Sequence, residues 1–375
     1  MVDVQIGGRR IGAGFAPFTI AEMSANHNGS LETALAMVDA AADAGADALK
    51  LQTYTPDTIT YRGAGPEFTI QDGLWKGWSL YDLYTRAMTP WEWHPQLFER
   101  GRALGLHVFS APFDETAVDF LETLDAPVYK IASFELTHLP LIRKAASTGK
   151  PLIMSTGMAS WPEIDEAVAT ARAAGCRELV LLHCVSGYPT PASEANLATI
   201  PAMIARYNVP VGLSDHTLGT SVATAAVVLG ACVVEKHFIL DRGVDAPDAA
   251  FSLEPPELMD LCAHVREAVA AVGHPKTGRA RSEAEMATLR RSIYAVQDIA
   301  AGEAFTPDNV RVIRPGHGLA PRHWDRILGE RAASALPRGT ALAHAHIAES
   351  GTSSGDESPQ QLNRENTSRA GASAP

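Results

Sequence analysis

Val209-Pro-Val-Gly-Leu-Ser-Asp-His216 and Ala231-Cys-Val-Val-Glu-Lys-His237 are two short apolar runs, each ending on a histidine, with a helical stretch between them. The same pattern recurs upstream in Asp47-Ala-Leu-Lys-Leu-Gln52 and Val128-Tyr-Lys-Ile131, each carrying a lysine. Working outward from these four, strands are expected over 18–24, 47–52, 106–110, 127–131, 151–155, 179–184, 209–214 and 231–237. Helical patterns separate them, such as Ser30–Ala44, with Ser30 as N-cap and Gly45 as stop, and Trp161–Ala174, closed by Gly175. Strand–helix alternation repeated eight times predicts an α/β chain closed into a (β/α)8 TIM barrel, since a doubly wound sheet would usually stop earlier. In such barrels the C-terminal ends of the strands build the active site. Two amines and two imidazoles gathered there suit an anionic substrate and a divalent metal, which makes the chain an enzyme.

The 375 residues leave room for a barrel plus a smaller domain. A net charge of −12 argues against nucleic acid as a partner, so any anion site must be a local positive focus. Cys176, Cys184, Cys232 and Cys262 show no paired spacing and read as buried reduced thiols. No secretory segment opens the chain, and the apolar stretch Val222–Val234 is broken by Gly230 and too short to span a bilayer. No membrane association and a cytoplasmic location are therefore expected. Domain boundaries are expected as a barrel over 1–275, a linker over 276–290, a small unit of short strands over 291–349, and a disordered tail over 350–375, where apolar residues nearly vanish. The connection from Thr53 to about Thr89 is unusually long and carries Trp75, Trp78, Tyr81 and Tyr84, as a lid or substrate wall would.

Alternation along a strand puts Lys50 with Gln52, Glu235 with His237 and Ser214 with His216 on one face. Leu49, Leu51, Val234 and Lys236 then point at the helices, where a lysine fits poorly. Other strand ends add Glu22, Ser110, Ser133, Glu135, Ser155, Ser186 and Tyr188. Any one of these serines is as readily a helix cap as a ligand. As a set they need a use, because buried charges cost several kcal/mol apiece unless paired or employed. His216 and His237 fall at matching heights on neighbouring strands. Two neutral imidazoles with open positions suit Mn²⁺, Co²⁺, Fe²⁺ or Mg²⁺, whereas a structural zinc site needs four ligands and no cysteine stands nearby. His27, in Ala25-Asn-His-Asn-Gly29, is either a third polar contact or part of the lead into the next helix. His94, His138 and His264 read as surface or structural. Lys50 and Lys130 suit either Schiff-base chemistry or the clamping of a carboxylate or phosphate, and the hydroxyls nearby favour a phosphate-bearing acid.

Ile20-Ala-Glu-Met-Ser-Ala-Asn-His-Asn-Gly29, Lys50-Leu-Gln-Thr53, Tyr129-Lys-Ile-Ala-Ser133, Ser155-Thr-Gly-Met158, Leu213-Ser-Asp-His-Thr-Leu-Gly219 and Val234-Glu-Lys-His-Phe238 resemble the sialic acid synthase family over about residues 1–349. The resemblance implies a (β/α)8 barrel that condenses phosphoenolpyruvate (PEP) with an acetamido sugar, followed by an antifreeze-like (SAF) domain over Arg291–Glu349. Thr53-Tyr-Thr-Pro-Asp-Thr58, Gly73-Leu-Trp75, Leu80-Tyr-Asp-Leu-Tyr84 and Thr89-Pro-Trp-Glu-Trp93 look like the branch that makes pseudaminic acid from a diacetamido-trideoxy-altrose. Ser186-Gly-Tyr-Pro189 departs from the Asn-Ile-Tyr-Pro of neuraminate-making relatives, which argues for a different acceptor. By position, the resemblance makes His216 and His237 metal ligands, with Mn²⁺ favoured over Mg²⁺ or Co²⁺. It places Lys50 and Lys130 on PEP and gives Ser110, Ser133, Ser155 and Ser214 its phosphate. Gln52, Glu135, Tyr188 and Asp248 face the sugar, and Arg314 reaches a neighbouring subunit's site, which implies a domain-swapped homodimer. In the mechanism such a site would run, Glu22 is a candidate for orienting or deprotonating the attacking water and Glu135 for serving the sugar hydroxyls, the division between them being left open, with Ser186 in the substrate set. The rivals are a Schiff-base aldolase on Lys130 or Lys50, a metal-dependent pyruvate aldolase, and a non-catalytic sugar- or ice-binding module.

Overall fold

The computed structural model describes residues 3–63, 65–275 and 278–349, so the expected tail over 350–375 lies outside the described residues. The chain divides into two compact units, Met1–Gly273 and His274–Pro375.

In the first unit β1 (Val4–Ile6) and β2 (Arg9–Ile11) form an antiparallel hairpin. Then come β3 (Phe18–Glu22), β4 (Ala48–Thr53), β5 (His107–Pro112), β6 (Tyr129–Ile131), β7 (Leu152–Ser155), β8 (Leu179–Cys184), β9 (Val211–Asp215) and β10 (Val233–His237). These eight close into a barrel in chain order, with β10 pairing β3 in parallel. Each strand lies within two residues of its expected position, and helices stand between them as their sequence signals dictate. The helix Leu31–Asp43 starts where the Ser30 side chain accepts the Thr33 N–H. The helix Trp161–Ala173 starts on a Ser160/Glu163 capping box, and Pro255–Val272 completes the eighth repeat.

Two apolar layers hold the barrel. Outward-facing Leu49, Leu51, Ile131, Met154, Leu181 and Val234 pack beneath the helices with Met37, Leu121 and Leu261. Inward-facing Phe18, Ile20, Phe109, Ile153, Val180 and Val233 fill the lumen together with Val4, Ile6 and Ile11 of the hairpin. The hairpin therefore plugs the N-terminal end of the barrel. Each such side chain contributes about 1.5–3 kcal/mol through burial. Gly7 makes the plug possible: its φ is +54°, and a Cβ there would lie 2.4 Å from the His107 ring. Polar side chains accordingly concentrate at the opposite end.

The second unit pairs β11 (Ser292–Ala295) with β12 (Val310–Ile313) in antiparallel fashion over a core of Ile293, Ile299, Phe305, Val310, Ile327 and Leu342. The stretch expected as a linker carries short 3-10 turns at Arg281–Glu283 and Glu285–Leu289. Among the described residues no helix is long and apolar enough to cross a membrane.

Candidate active site

Strand parity builds the mouth. Register pairs Glu22 with Lys50 and with His237, and Ser214 with Glu235, so these side chains rise together from adjacent strands. Lys50 Nζ lies 2.7 Å from Glu22 Oε2 and 3.6 Å from Glu235 Oε1, and Lys130 Nζ lies 3.4 Å from that same Glu235 oxygen. Ser214 donates to Glu235 Oε1 at 3.2 Å. Gln52 bridges Glu22 Oε1 and Ser24 Oγ, both at 2.9 Å. Glu235 is the residue the sequence reading left without a role. It shares a face with His237, and in the fold it is the carboxylate that both lysines share.

The charges follow from this sharing. Burial pushes the Lys50 ammonium down, but Glu22 and Glu235 outweigh it and leave its pKa above the usual value. Burial prevails at Lys130, which leans on Glu235 alone and is held below the ordinary range. Burial raises Glu235, yet Lys130 and Lys50 overcome that and keep it ionised. Glu22 and Glu135 are both raised to about 7, chiefly by burial. Glu135 Oε2 is buried with no hydrogen-bond partner.

On the far side of Glu235 stand the two imidazoles, with ring centroids 5.4 Å apart. His216 Nδ1 donates to the Val185 carbonyl at 3.0 Å, which leaves Nε2 as the free acceptor. His237 Nδ1 is buried without a hydrogen bond, 3.7 Å from Asp248 Oδ2, and burial followed by the nearby cations keeps the ring neutral. Burial pulls the His216 pKa down, but Cys184, the Val185 carbonyl and Glu235 outweigh it and leave it above the usual value, so a cation here would take the place of a proton on its Nε2. Two imidazole nitrogens at a polar mouth fit a divalent cation that takes its remaining ligands from oxygen. Among the described residues no group of three or more His, Cys, Asp and Glu converges on one point, so the protein offers the cation these two donors. One expectation needs correcting: a cysteine does stand nearby, with Cys184 Sγ 3.9 Å from His216 Nδ1, because β8 is the neighbour of β9.

The hydroxyls divide. Ser155 points inward from β7 and its Oγ is buried with no partner, as suits a group awaiting a ligand. Ser133 Oγ accepts the Gly157 N–H at 3.1 Å. A Cβ at Gly157 would lie 2.3 Å from Ser186 Oγ and 2.7 Å from Ser133 Oγ, so glycine keeps this cradle open. Ser110 does not belong with them. Strand β5 runs two residues past its expected end, and Ser110 pairs with Leu51 on the helix-facing side. It bonds Thr53 Oγ1 at 2.6 Å, and Thr53 bonds His94 Nε2 at 2.9 Å, which makes a sealed structural network. Removal from the lumen takes Ser110 out of the phosphate set.

Aromatic side chains form the roof. Tyr188 lies 4.4 Å from His216 and 5.3 Å from Phe251, and Phe251 lies 4.9 Å from His237, ring to ring. Trp75, from the long connection after β4, reaches Tyr188 at 5.8 Å and donates its indole N–H to the Pro247 carbonyl at 2.9 Å. That connection therefore forms a wall of the mouth. His27 is not part of the site: its Nδ1 accepts the Gly29 N–H at 3.1 Å and its Nε2 faces Thr89 Oγ1 at 3.2 Å. Arg314 lies in the second unit, exposed and directly after β12.

A TIM barrel whose mouth sets two lysines and a shared carboxylate beside paired imidazoles is, as a class, an enzyme handling an anionic substrate. The comparisons with known proteins refine that. The NeuB family profile matches residues 37–277 and the SAF domain profile residues 290–348. The chain belongs to the NeuB family and carries a C-terminal SAF domain. It is 41% identical to the pseudaminic acid synthase of Helicobacter pylori, over 87% of this chain and 96% of that one. It is 36% identical to the N,N'-diacetyllegionaminic acid synthase of Legionella pneumophila, over 90% of this chain and 96% of that one. The crystal structure of N-acetylneuraminic acid synthetase from Leptospira borgpetersenii, solved with citrate, superposes with a TM-score of 0.68 at 33% identity, covering 76% of this chain and 95% of that one.

Proposed function

We infer that the chain is a transferase that condenses PEP with 2,4-diacetamido-2,4,6-trideoxy-altrose and water, giving pseudaminic acid and phosphate. The observation that carries this is the shared-carboxylate lysine pair beside the two imidazoles, in a chain over 40% identical to a pseudaminic acid synthase across nearly its whole length. Lys50 and Lys130 supply fixed positive charge for the carboxylate and phosphate of PEP, and Ser133, Ser155 and Ser214 supply neutral donors for phosphate oxygens. Displacement of Glu235 from the lysines by an incoming anion matches the loose 3.4–3.6 Å spacing of that triad. The methylene carbon of PEP attacks the aldehyde carbon of the open-chain sugar and forms the new C–C bond, and the aldehyde oxygen takes up a proton to become a hydroxyl. The C–O bond to phosphate breaks to leave a ketone after water adds at the former enol carbon; the added oxygen gives one proton to the departing phosphate and the other, as the water adds, to a base on the protein. Glu135, with a buried unpartnered oxygen and a pKa of about 7, is the better placed base for that proton. Glu22 is committed to Lys50 and Gln52.

His216 and His237 would hold the divalent cation, Mn²⁺ for preference, which supplies Lewis acidity toward the sugar carbonyl. Gln52, Ser186, Tyr188 and Asp248 line the acceptor side, with Trp75 closing it. Arg314 from a second copy completes the site, and its exposure on the SAF unit leaves it free to do so. The same chemistry on the legionaminate or neuraminate precursor is the second reading, supported by the 36% relative. The test is to incubate the protein with Mn²⁺ and PEP and, in turn, each acetamido sugar, and to measure inorganic phosphate. Release with the altrose alone is expected. Trapping of pyruvate by borohydride would instead establish a Schiff-base aldolase. Turnover by His216→Ala or His237→Ala equal to the parent at saturating metal would remove the metal assignment.

A further inference from the structure

Asp215 and Lys236 immediately precede His216 and His237, and they point away from the mouth into the helix-facing layer. Lys236 Nζ lies 2.6 Å from Asp215 Oδ2 and donates to the Thr217 carbonyl at 2.5 Å. The Thr217 N–H in turn donates to Asp215 Oδ1 at 2.9 Å. Both side chains are sealed from solvent, 0% exposed for Lys236 and 1% for Asp215. A buried ion pair of this kind usually adds no stability over an apolar pair of the same volume. Its neighbours in that layer, Leu213 and Val234, are apolar. The pair therefore calls for a purpose beyond holding the fold together.

The strand register supplies one. The pairing of β9 with β10 ends at Asp215 with Lys236, so His216 lies one residue past the ladder. His237 is still paired, to Glu22 of β3. One imidazole stands within the ladder and the other one residue beyond it, where the Thr190 N–H holds its carbonyl and the Val185 carbonyl holds its Nδ1, both at 3.0 Å. Lys236 takes over where the ladder stops, because its ammonium grips the residue on each side of His216. We propose that Asp215 and Lys236 are positioning residues, a buried ionic clasp that fixes the spacing of His216 and His237 for a divalent cation. This rests on the cation reading given above.

The test uses the full-length protein with Co²⁺ as the probe. The combined substitution Asp215→Leu with Lys236→Met removes both charges while keeping buried volume. Asp215→Asn keeps an acceptor for the Thr217 N–H and removes the charge. Melting temperature, the Co²⁺ dissociation constant and the Co²⁺ visible spectrum are read for each, with His216→Ala as control. The double variant is expected to melt within about 5 °C of the parent. Its Co²⁺ affinity should fall about tenfold to a hundredfold, with altered ligand-field bands, while inorganic phosphate binding stays at the parent value. Unchanged Co²⁺ affinity and spectrum in the double variant would overturn the clasp. Should that variant fail to fold, parent-like Co²⁺ binding by Asp215→Asn overturns it equally, and so does failure of both to fold, which would make the pair a structural necessity. Co²⁺ binding by His216→Ala equal to the parent would instead sink the cation reading itself.

Discussion

Glu235→Gln separates two effects that one carboxylate combines. Lys130 has Glu235 as its ion-pair partner at 3.4 Å, whereas Lys50 keeps Glu22 at 2.7 Å. Neutralising Glu235 strands a buried ammonium. Breaking such a pair costs about 3–5 kcal/mol, and the amide oxygen can still accept, so the lower end, about 3 kcal/mol, applies. For a domain of this size 1 kcal/mol corresponds to about 2–4 °C, which predicts a fall in melting temperature of roughly 6–12 °C. Phosphate binding should move the other way, since the two lysines lose the anion already resting on them. A tenfold gain in phosphate affinity, about 1.4 kcal/mol, would add roughly 3–5 °C to the stabilisation produced by a fixed excess of phosphate. Differential scanning fluorimetry of parent and variant, with and without inorganic phosphate at low salt, reads both effects. A variant that melts with the parent in plain buffer, or gains no more from phosphate than the parent does, would refute the shared-anion reasoning.

Three further outcomes are expected. Trp75→Ala should raise the sugar KM up to about tenfold and leave the PEP KM unchanged, because Trp75 meets Tyr188 and Pro247 rather than the lysines; steady-state kinetics in each substrate checks it. Ser110→Ala should lower stability by about 1 kcal/mol through its lost bond to Thr53 while PEP binding stays intact, as denaturation and kinetics would show. In pH scans, Glu22 and Glu135 have folded pKa values of about 7 against an ordinary 4.5, so their stabilising contribution is fully present below 4.5 and lost as pH rises through 7. His27 and His94, held at about 4 against 6.5, act oppositely: their contribution is present above 6.5 and lost as pH falls toward 4. Melting temperature should therefore peak between these limbs, and Glu135→Gln should flatten the alkaline one.

Much of this was legible because barrel strands announce themselves as short apolar runs and because parity fixes which strand-end residues share a face. Lys50, Glu235 and His237 follow from that rule alone. Ser110 defeated it for a physical reason: Val108-Phe109-Ser110-Ala111 is small or apolar on both faces, so nothing in it tells lumen from helix side. The strand also runs on to Pro112, which leaves Ser110 short of the end. A lysine fits poorly among helix-facing residues, yet Asp215, by the same parity, stands beside Lys236. Proximity across neighbouring strands, as between Cys184 and His216, needs the angular order of the barrel as well as the strand list. Trp75 was visible as part of a long aromatic loop, but its hydrogen bond to Pro247 spans 172 residues and leaves no local trace.

The hairpin that fills the lumen from below makes the barrel a vessel with one opening. Both reactants and the water must come in, and phosphate and the nine-carbon acid must depart, past the Trp75 loop. Traffic through a single gate imposes sequence on events: whichever reactant docks deepest, against the lysines, has to arrive before the one that sits above it.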